Sequence, residues 1–182
     1  MVENSEVPLI QRRYREAFGA ALTPAFATWM HQGGTGTSGA GLGYRRAGAE
    51  TLFLEAYLDD PIELAVSAAL QRRVARNRIV EIGNFAADNA LSMIALWGAA
   101  ANDLGGASEV AVATLTAPLR RMFARIGLPI VDIAPARPER LGDNCGEWGS
   151  YYRLDPRICA GVITEGQQAI GRFLSRREKA AA

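Results

Sequence analysis

Lysine, histidine and cysteine are scarce in this chain of 182 residues, and each scarcity removes a class of chemistry. Lys179 is the only lysine, which excludes a Schiff-base mechanism, a lysine general base and a phosphate-binding P-loop lysine. His31 is the only histidine, so we expect no metal site and no nucleophilic triad. Cys145 and Cys159 are the only cysteines, and we expect reduced thiols with no disulfide between them.

Excess charge of one sign is also missing. Twenty basic and nineteen acidic residues give a net charge of +1, which disfavours a nucleic-acid partner and favours small-molecule or protein partners. No apolar run reaches the roughly 18 residues of a membrane span, and residues 1–6 carry acids where an export signal would carry basic residues. We therefore expect a cytoplasmic protein without a membrane span.

The hydrophobic content of 49% predicts one globular domain over residues 1–182, with flexible ends at residues 1–6 and 177–182. In the first half, apolar residues at helical spacing predict an amphipathic helix over residues 8–21. Three strand-like segments, which we expect to be antiparallel, follow at residues 26–30, 42–47 and 51–57. Asp60, Pro61 and Glu63 are typical of a helix start, and we expect that helix to reach about residue 75.

The second half alternates between strands and helices. The pattern predicts strands over residues 79–85, 110–115 and 130–134, two helices between them and a last helix over residues 165–177. Asn89 and Thr116 are expected to cap the two inner helices, which Gly105 and Gly127 end. Two crossover units of this kind place their strands in one sheet with helices packed against it.

A glycine-rich segment between the first two strands satisfies the G-x-G-x-x-G pattern at Gly34–Gly39. A dinucleotide site requires a helix directly after this pattern, so that the helix N-terminus faces the pyrophosphate. The residues that follow, 42–45, are typical of a strand. The pattern therefore predicts a turn.

Four acids lie within residues 55–63. Carboxylates of this kind can bind Mg²⁺, but helix capping accounts for Asp60 and Glu63, and we expect no metal. Glu55 and Asp59 remain available to contact a cationic amine. On a strand Glu55 shares one face with Tyr57, a mixture that suits the wall of a pocket and equally suits a half-exposed strand.

Glu81 is the most informative acid, because it lies in an apolar central strand where an ionised side chain is costly to bury. A carboxylate retained there indicates catalysis, or else an ion pair with an arginine such as Arg45 or Arg78. Asn84 falls on the opposite face of a regular strand. It can share a pocket with Glu81 only if Gly83 marks a bulge.

Two further groups have both structural and functional interpretations. The aromatic segment Trp148–Tyr152 is typical of packing, although a tyrosine hydroxyl can also donate a proton in catalysis. Cys145 as a nucleophile would need a base, for which only His31 is available. Arg120, Arg121 and Arg125 lie on the expected solvent side of one helix, where they are solvated or bind an acidic partner.

Together these motifs resemble the thermostable hemolysin family over about residues 40–163. The resemblance rests on an ordered set of short motifs: Gly43-Tyr44-Arg45, Leu52-Phe53-Leu54-Glu55, Tyr57-Leu58-Asp59, Val80-Glu81, Gly83-Asn84, Leu119-Arg120, Trp148-Gly149-Ser150-Tyr151-Tyr152 and Asp155-Pro156. Ala56 and Phe85 depart from the residues expected there, without upsetting the match. The family fold is in turn similar to GNAT acyltransferases and acyl-homoserine-lactone synthases.

The resemblance implies an α/β (α+β) fold, with a GNAT-like mixed sheet, an antiparallel N-terminal half and a βαβαβ C-terminal half. Its two central strands splay to admit a thioester. The co-substrate would be an acyl thioester of coenzyme A or of an acyl carrier protein, with no tightly bound cofactor. Residues 86–90 lack the glycines of a coenzyme A loop, which favours a donor with the single phosphate of a carrier-protein pantetheine. The acidic carrier protein would dock on the arginine face, which comprises Arg120, Arg121 and Arg125.

The resemblance also implies roles for individual residues. Glu81 would be the general base or the anchor of a small, amino-acid-like amine. Tyr151 or Tyr152 would protonate the leaving thiolate, and a backbone N–H near Asn84 or Phe85 would bind the oxyanion. The substrate pocket would comprise Tyr44, Arg45, Glu55, Tyr57, Asp59, Asn84, Phe85, Thr114 and Trp148.

Two other functions remain open at this point. One is a non-enzymatic protein that perturbs membranes, as the family name suggests. No strongly basic amphipathic segment supports it, and the apolar segment Ala90–Ala101 is short enough for a core helix. The other is a module that binds a ligand without turnover.

Overall fold

The computed structural model describes residues 6–23, 26–33 and 39–181. The predicted flexible residues 1–5 and 182, and residues 34–38 of the predicted glycine turn, lie outside this range. Residues 177–181, which were also expected to be flexible, continue the last helix.

The described chain folds into helices that surround one sheet. The helices are α1 (Glu6–Phe18), α2 (Ile62–Leu70), α3 (Ala90–Leu104), α4 (Ala117–Ile126) and α5 (Ile163–Ala181). The strands are β1 (Thr28–Gln32), β2 (Ala40–Arg46), β3 (Ile79–Ala87), β4 (Val110–Leu115), β5 (Val131–Pro135) and β6 (Arg157–Val162). Short 3₁₀ helices span Phe53–Tyr57, Arg76–Arg78, Pro138–Trp148 and Tyr151–Leu154.

The six strands form one mixed sheet in the order β1-β2-β3-β4-β6-β5. Only β3 and β4 are neighbours in parallel, and the other adjacent pairs are antiparallel. This arrangement confirms the predicted fold class, with an antiparallel N-terminal half and a crossover from β3 through α3 to β4.

Helix caps account for the accuracy of the prediction around α3 and α4. The Asn89 side chain accepts a hydrogen bond from the backbone N–H of Ser92 at 2.9 Å and so satisfies a free donor at the start of α3. Thr116 occupies the N-cap position of α4 as expected, but its side chain makes no capping hydrogen bond. Gly127 ends α4 in the left-handed conformation that glycine tolerates best. These local signals need no tertiary contact, which is why the sequence reveals them.

Two predictions about strands need correction. Residues 51–57 are not a strand, because Phe53–Tyr57 forms a 3₁₀ helix. The second crossover does not bring β5 beside β4, since β6 lies between them and pairs with both. Strand β6, which follows the turn at Asp155 and Pro156 and is buried at residues 158–160, was not predicted.

Apolar residues alternate between the two faces of the sheet, and each face has its own core. Ala113 and Cys159 belong to the cluster that α3, α4 and α5 cover, whereas Val112 and Ile158 belong to the cluster beneath α2. A third cluster packs α1 against the far end of β3 and the 3₁₀ helix at Tyr151. Among the described residues, no helix has both the length and the apolar character needed to cross a bilayer.

Candidate active site

The site begins where β3 and β4 separate. Their parallel pairing covers only Ile79, Val80 and Glu81 of β3, although β3 continues to Ala87 and β4 to Leu115. Beyond Glu81 the two strands diverge and leave a gap in the middle of the sheet. The predicted splay of the central strands is therefore present.

A bulge in β3 lies beside this gap. Gly43 of β2 pairs with Gly83, whereas Gly41 pairs with Ala86, so β3 carries one residue more than β2 over this stretch. Asn84 lies in the bulge with a φ of 50°, a left-handed conformation that is uncommon for residues other than glycine. The irregularity that the sequence analysis required at Gly83 exists, and Asn84 and Glu81 line the same cavity.

A pair of glycines brings an aromatic ring against this bulge. The Phe26 ring lies over Gly43 and Gly83, so close that a β-carbon on either glycine would come within 2.5 or 2.6 Å of a ring carbon. Only glycine leaves room for the ring at these two positions. Phe26 is thereby seated over the middle of the β2–β3 pair, next to Glu81.

The gap holds a central cavity of about 30 Å³, large enough for a water molecule. Glu81, Ile82, Asn84, Phe85 and Thr114 come from the diverging strands. The other side chains that line it come from four separate segments: Tyr14, Phe26, Phe53, Tyr57, Trp148 and Tyr151. Phe53 was expected on the pocket-facing side of its segment together with Tyr57, whereas Tyr14 and Phe26 were not predicted. Only the glycines opposite Phe26 gave a signal of close approach.

Glu81 is 3% exposed and carries the most unusual carboxylate of the site. Its Oε2 accepts a hydrogen bond from the Phe53 N–H at 2.7 Å, its Oε1 accepts one from the Leu54 N–H at 3.1 Å, and the Arg45 Nε lies 3.7 Å away. Burial outweighs these favourable contacts and raises the pKa of Glu81 to about 7. The side chain can therefore gain or lose a proton near neutral pH.

The alternative of an ion pair for Glu81 is present only in a weak form. Arg45 is close to the carboxylate, at a distance longer than a hydrogen bond, while Arg78 binds the carbonyl oxygen of Ala107 instead. The two strongest contacts of Glu81 are backbone N–H groups, so this residue also holds the start of the 3₁₀ helix in place.

Three tyrosines, Tyr57, Tyr151 and Tyr152, lie in or next to the lining of the central cavity. Tyr57 and Tyr152 share a hydrogen bond of 2.7 Å between their hydroxyl groups, and the Tyr151 hydroxyl donates to the Thr114 carbonyl oxygen at 3.3 Å. Burial raises the pKa values of Tyr57 and Tyr151 far above neutral pH, so both phenols stay protonated. Tyr57 and Tyr151 line the cavity, and Tyr152 is connected to it through Tyr57.

Glu55 is in a different place from the one expected. Its carboxylate forms two hydrogen bonds with Arg76, at 2.7 and 2.8 Å, and accepts the backbone N–H groups of Leu52 and Ile62. The pairing with Arg76 lowers the pKa of Glu55 to about 2. Glu55 therefore joins the 3₁₀ helix to the start of α2, and it does not belong to the residues that line the central cavity.

Other predicted pocket residues are also engaged elsewhere. Asp59 is exposed and pairs with Arg140 at 2.6 Å. Tyr44 packs against the core beneath α3, and the Arg46 guanidinium lies over its ring. Arg45 contacts the pocket indirectly, through Glu81 and through the Phe26 ring, whose centroid is 4.8 Å from the guanidinium carbon.

The predicted arginine face is only partly available. Arg120 donates to the carbonyl oxygens of Leu115 and Asp155 and to the Asp155 carboxylate, so it fastens the end of β4 to the turn before β6. Arg121 and Arg125 are exposed on α4, as expected. Asp60 was expected to cap α2, but the first N–H of that helix binds Glu55.

Two larger cavities share four lining residues each with the central one. The first, the helix-side cavity, has a volume of about 530 Å³ beneath α1 and shares Tyr14, Phe85, Thr114 and Tyr151 with the central cavity. The second, the aromatic cavity, has a volume of about 240 Å³ and shares Phe26, Phe53, Asn84 and Trp148 with it. The two sets of lining residues do not overlap. Glu81 thus lies between two separate approaches.

The side chain of Cys145, considered above as a nucleophile, lies outside the described part of the structure. Cys159 is a buried free thiol, and burial raises its pKa to about 12, which makes it a poor nucleophile at neutral pH. Among the side chains that the structure describes, which exclude those of residues 6–8, 143–145 and 181, no three of the His, Cys, Asp and Glu types converge as metal ligands.

Solved structures share this architecture. FeeM, described as an N-acyl amino acid synthase from uncultured soil microbes, is 15% identical over 93% of this chain and 97% of its own, with a TM-score of 0.55. TofI, solved in a ternary complex with an inhibitor and MTA, is 17% identical over 91% of this chain and 90% of its own, with a TM-score of 0.52. The chain therefore shares its fold with FeeM and TofI.

Comparison of the sequence with protein-family models identifies the family of this chain. The chain belongs to the thermostable hemolysin family, whose model matches residues 3–167, and the predicted family is confirmed. None of the curated proteins matches the chain.

Proposed function

We propose that this protein is an N-acyltransferase that moves an acyl group from a thioester to a primary amine. The observation that carries the proposal is the position of Glu81. This buried carboxylate has a pKa near 7 and lies at the fork of two diverging strands, between two separate cavities. A general base for an amine works best when its pKa is close to the operating pH.

Glu81 is the general base in this proposal. The amine nitrogen attacks the thioester carbonyl carbon, and Glu81 takes the proton that the nitrogen loses. The C–N bond forms, the C–S bond breaks, and the products are an amide and a free thiol. Tyr151, or Tyr152 through its hydrogen bond with Tyr57, supplies the proton that the leaving thiolate takes up. Burial raises the pKa values of Tyr57 and Tyr151, so these two phenols stay protonated at neutral pH.

The bulge of β3 supports oxyanion binding. A bulge leaves a residue outside the regular ladder, so that a backbone N–H near Asn84 or Phe85 can turn toward the gap. Such a fixed donor stabilises the negative charge that develops on the carbonyl oxygen in the transition state.

The thioester enters through the helix-side cavity in this proposal. Its volume of about 530 Å³ suits a flexible pantetheine arm better than the central cavity does. An acidic acyl carrier protein would dock on Arg121 and Arg125, which are exposed, whereas Arg120 is held by Asp155. Coenzyme A is the alternative donor.

The test follows thioester loss and amide formation by mass spectrometry, with acyl-carrier-protein and acyl-coenzyme A donors and a panel of amines. Replacing the base, Glu81→Gln, should lower turnover by about 10²-fold or more, while Glu165→Gln, an exposed acid on α5, should leave it unchanged. Thermal unfolding must first show that both variants fold, because Glu81 also binds two backbone N–H groups. Full turnover in folded Glu81→Gln would reject the role. Leakage of liposomes without thioester consumption would instead support a membrane-perturbing protein.

A further inference from the structure

The chemistry of the aromatic cavity restricts what can bind there. Phe26, Phe53 and Trp148 supply its aromatic walls, and Leu22 and Leu141 add apolar surface. Asn84 and Thr23 are neutral polar groups. Glu147, which is exposed, is the one charged side chain among the lining residues that the structure describes.

Positive charge is missing from this lining. The sequence places every lysine and arginine within the described residues, and none of them lines the aromatic cavity. The guanidinium of Arg45 is the one that lies against the Phe26 ring, and its side chain is 12% exposed. Two carboxylates already face this guanidinium, Glu81 at 3.7 Å and Glu50 at 3.8 Å.

These properties distinguish an amine from an amino acid. An ammonium group that enters the cavity meets a carboxylate and the faces of aromatic rings, both of which attract cations. A carboxylate that enters the same cavity meets Glu147 and then Glu81, and it finds no cationic partner in the lining. Burying an unpaired carboxylate is strongly unfavourable.

We propose that the aromatic cavity is the acceptor site, and that its substrate is a primary amine with an aromatic or apolar body and no carboxylate. The inference rests on the proposed acyl transfer and narrows its acceptor from amino-acid-like amines to simple amines. The amine reaches Glu81 from the side of Trp148, opposite to the thioester route, because the two larger cavities share no lining residue.

The binding test uses phenethylamine and L-phenylalanine, which differ only in the carboxylate, titrated into the full chain by calorimetry at pH 7.5. Phenethylamine should bind at least about tenfold more tightly, since an unpaired buried polar group costs a factor of this size or more. Equal affinity, or tighter binding of L-phenylalanine, would overturn the proposal.

A pair of variants locates the site. Glu147→Gln should weaken the binding of phenethylamine about threefold, which is the effect expected from the loss of one exposed charge. Glu139→Gln is the matched control, because Glu139 is exposed on the same 3₁₀ helix and lines neither the aromatic nor the central cavity. An equal effect of both variants, or none from Glu147→Gln, would contradict binding in this cavity.

Turnover with the same two probes separates this inference from the proposed function. Acylation of L-phenylalanine in preference to phenethylamine would contradict the simple-amine acceptor and would still support the proposed acyl transfer. Binding of phenethylamine without acylation by any thioester would contradict acyl transfer and would still support an amine-binding site in the aromatic cavity.

Discussion

Glu55 and Glu81 bind backbone N–H groups at the start of the same 3₁₀ helix, Phe53–Tyr57, yet they have opposite acid–base properties. Glu55 accepts from Leu52 and has a pKa of about 2. Glu81 accepts from Phe53 and Leu54 and has a pKa of about 7. Hydrogen bonds from the backbone therefore do not explain why the pKa values of the two carboxylates differ.

The difference comes from the nearest cation and from water. Arg76 binds both oxygens of Glu55 at hydrogen-bond distance, whereas Arg45 stays 3.7 Å from Glu81. The Glu55 side chain is 12% exposed, and that of Glu81 is 4% exposed. A direct guanidinium contact fixes Glu55 as a structural anion, and its absence leaves Glu81 able to exchange a proton.

The largest expected effect concerns the pH dependence of stability. Because the pKa of Glu81 is raised on folding, the folded state binds its proton more tightly than the unfolded state does, and ionisation between about pH 4.5 and 7 destabilises the protein. Relative to Glu81→Gln, the wild type should lose about 3 kcal/mol of unfolding free energy over this range. Urea unfolding at pH 5, 6, 7 and 8 measures the difference.

The same titration on Glu55→Gln sharpens the comparison. The pKa of Glu55 is lowered, so its contribution is fully present above about pH 4.5 and disappears only as the pH falls toward 2. The difference between wild type and Glu55→Gln should therefore stay constant from pH 5 to 8. If both glutamates gave the same pH dependence, the proposed contrast between them would be lost.

A smaller effect is expected from the cation that holds Glu55. Arg76→Gln leaves the carboxylates of Glu55 and Glu63 without their shared partner and should lower the unfolding free energy by about 2 kcal/mol. Arg72→Gln is the control, because Arg72 pairs with Glu109 on the exposed surface and should contribute less than about 1 kcal/mol. Equal losses in the two variants would show that Glu55 is an ordinary surface ion pair.

The smallest effect concerns Arg45. This guanidinium lowers the pKa of Glu81 from the value that burial alone would give. In Arg45→Met, the apparent pKa of the rise in activity should therefore increase by about one pH unit. In Arg45→Lys, which keeps the charge, this apparent pKa should change little. An unchanged profile in Arg45→Met would mean that a different group controls the activity.

Sequence reasoning worked where the signal was local. Capping by Asn89, the stop at Gly127 and the apolar strand around Glu81 identified β3, α3, β4 and α4. It also identified Glu81 as the unusual acid, because a carboxylate in an apolar strand is visible without any tertiary contact.

It failed where contacts are distant in sequence. Leu52 and Leu54 are both buried and so imitate the alternation of a strand. The N–H groups that would pair in a sheet bind the carboxylates of Glu55 and Glu81 instead, and Arg76 completes the arrangement. No pattern within residues 51–57 reveals partners that lie more than twenty residues further along the chain.

The pH dependence of kcat/KM tests most directly whether Glu81 is the base for acyl transfer. With the best donor and amine from the panel, wild-type activity should rise with pH through an apparent pKa near 7, and folded Glu81→Gln should retain only residual activity without that rise. A rise of the same size and position in both proteins would contradict the assignment of Glu81.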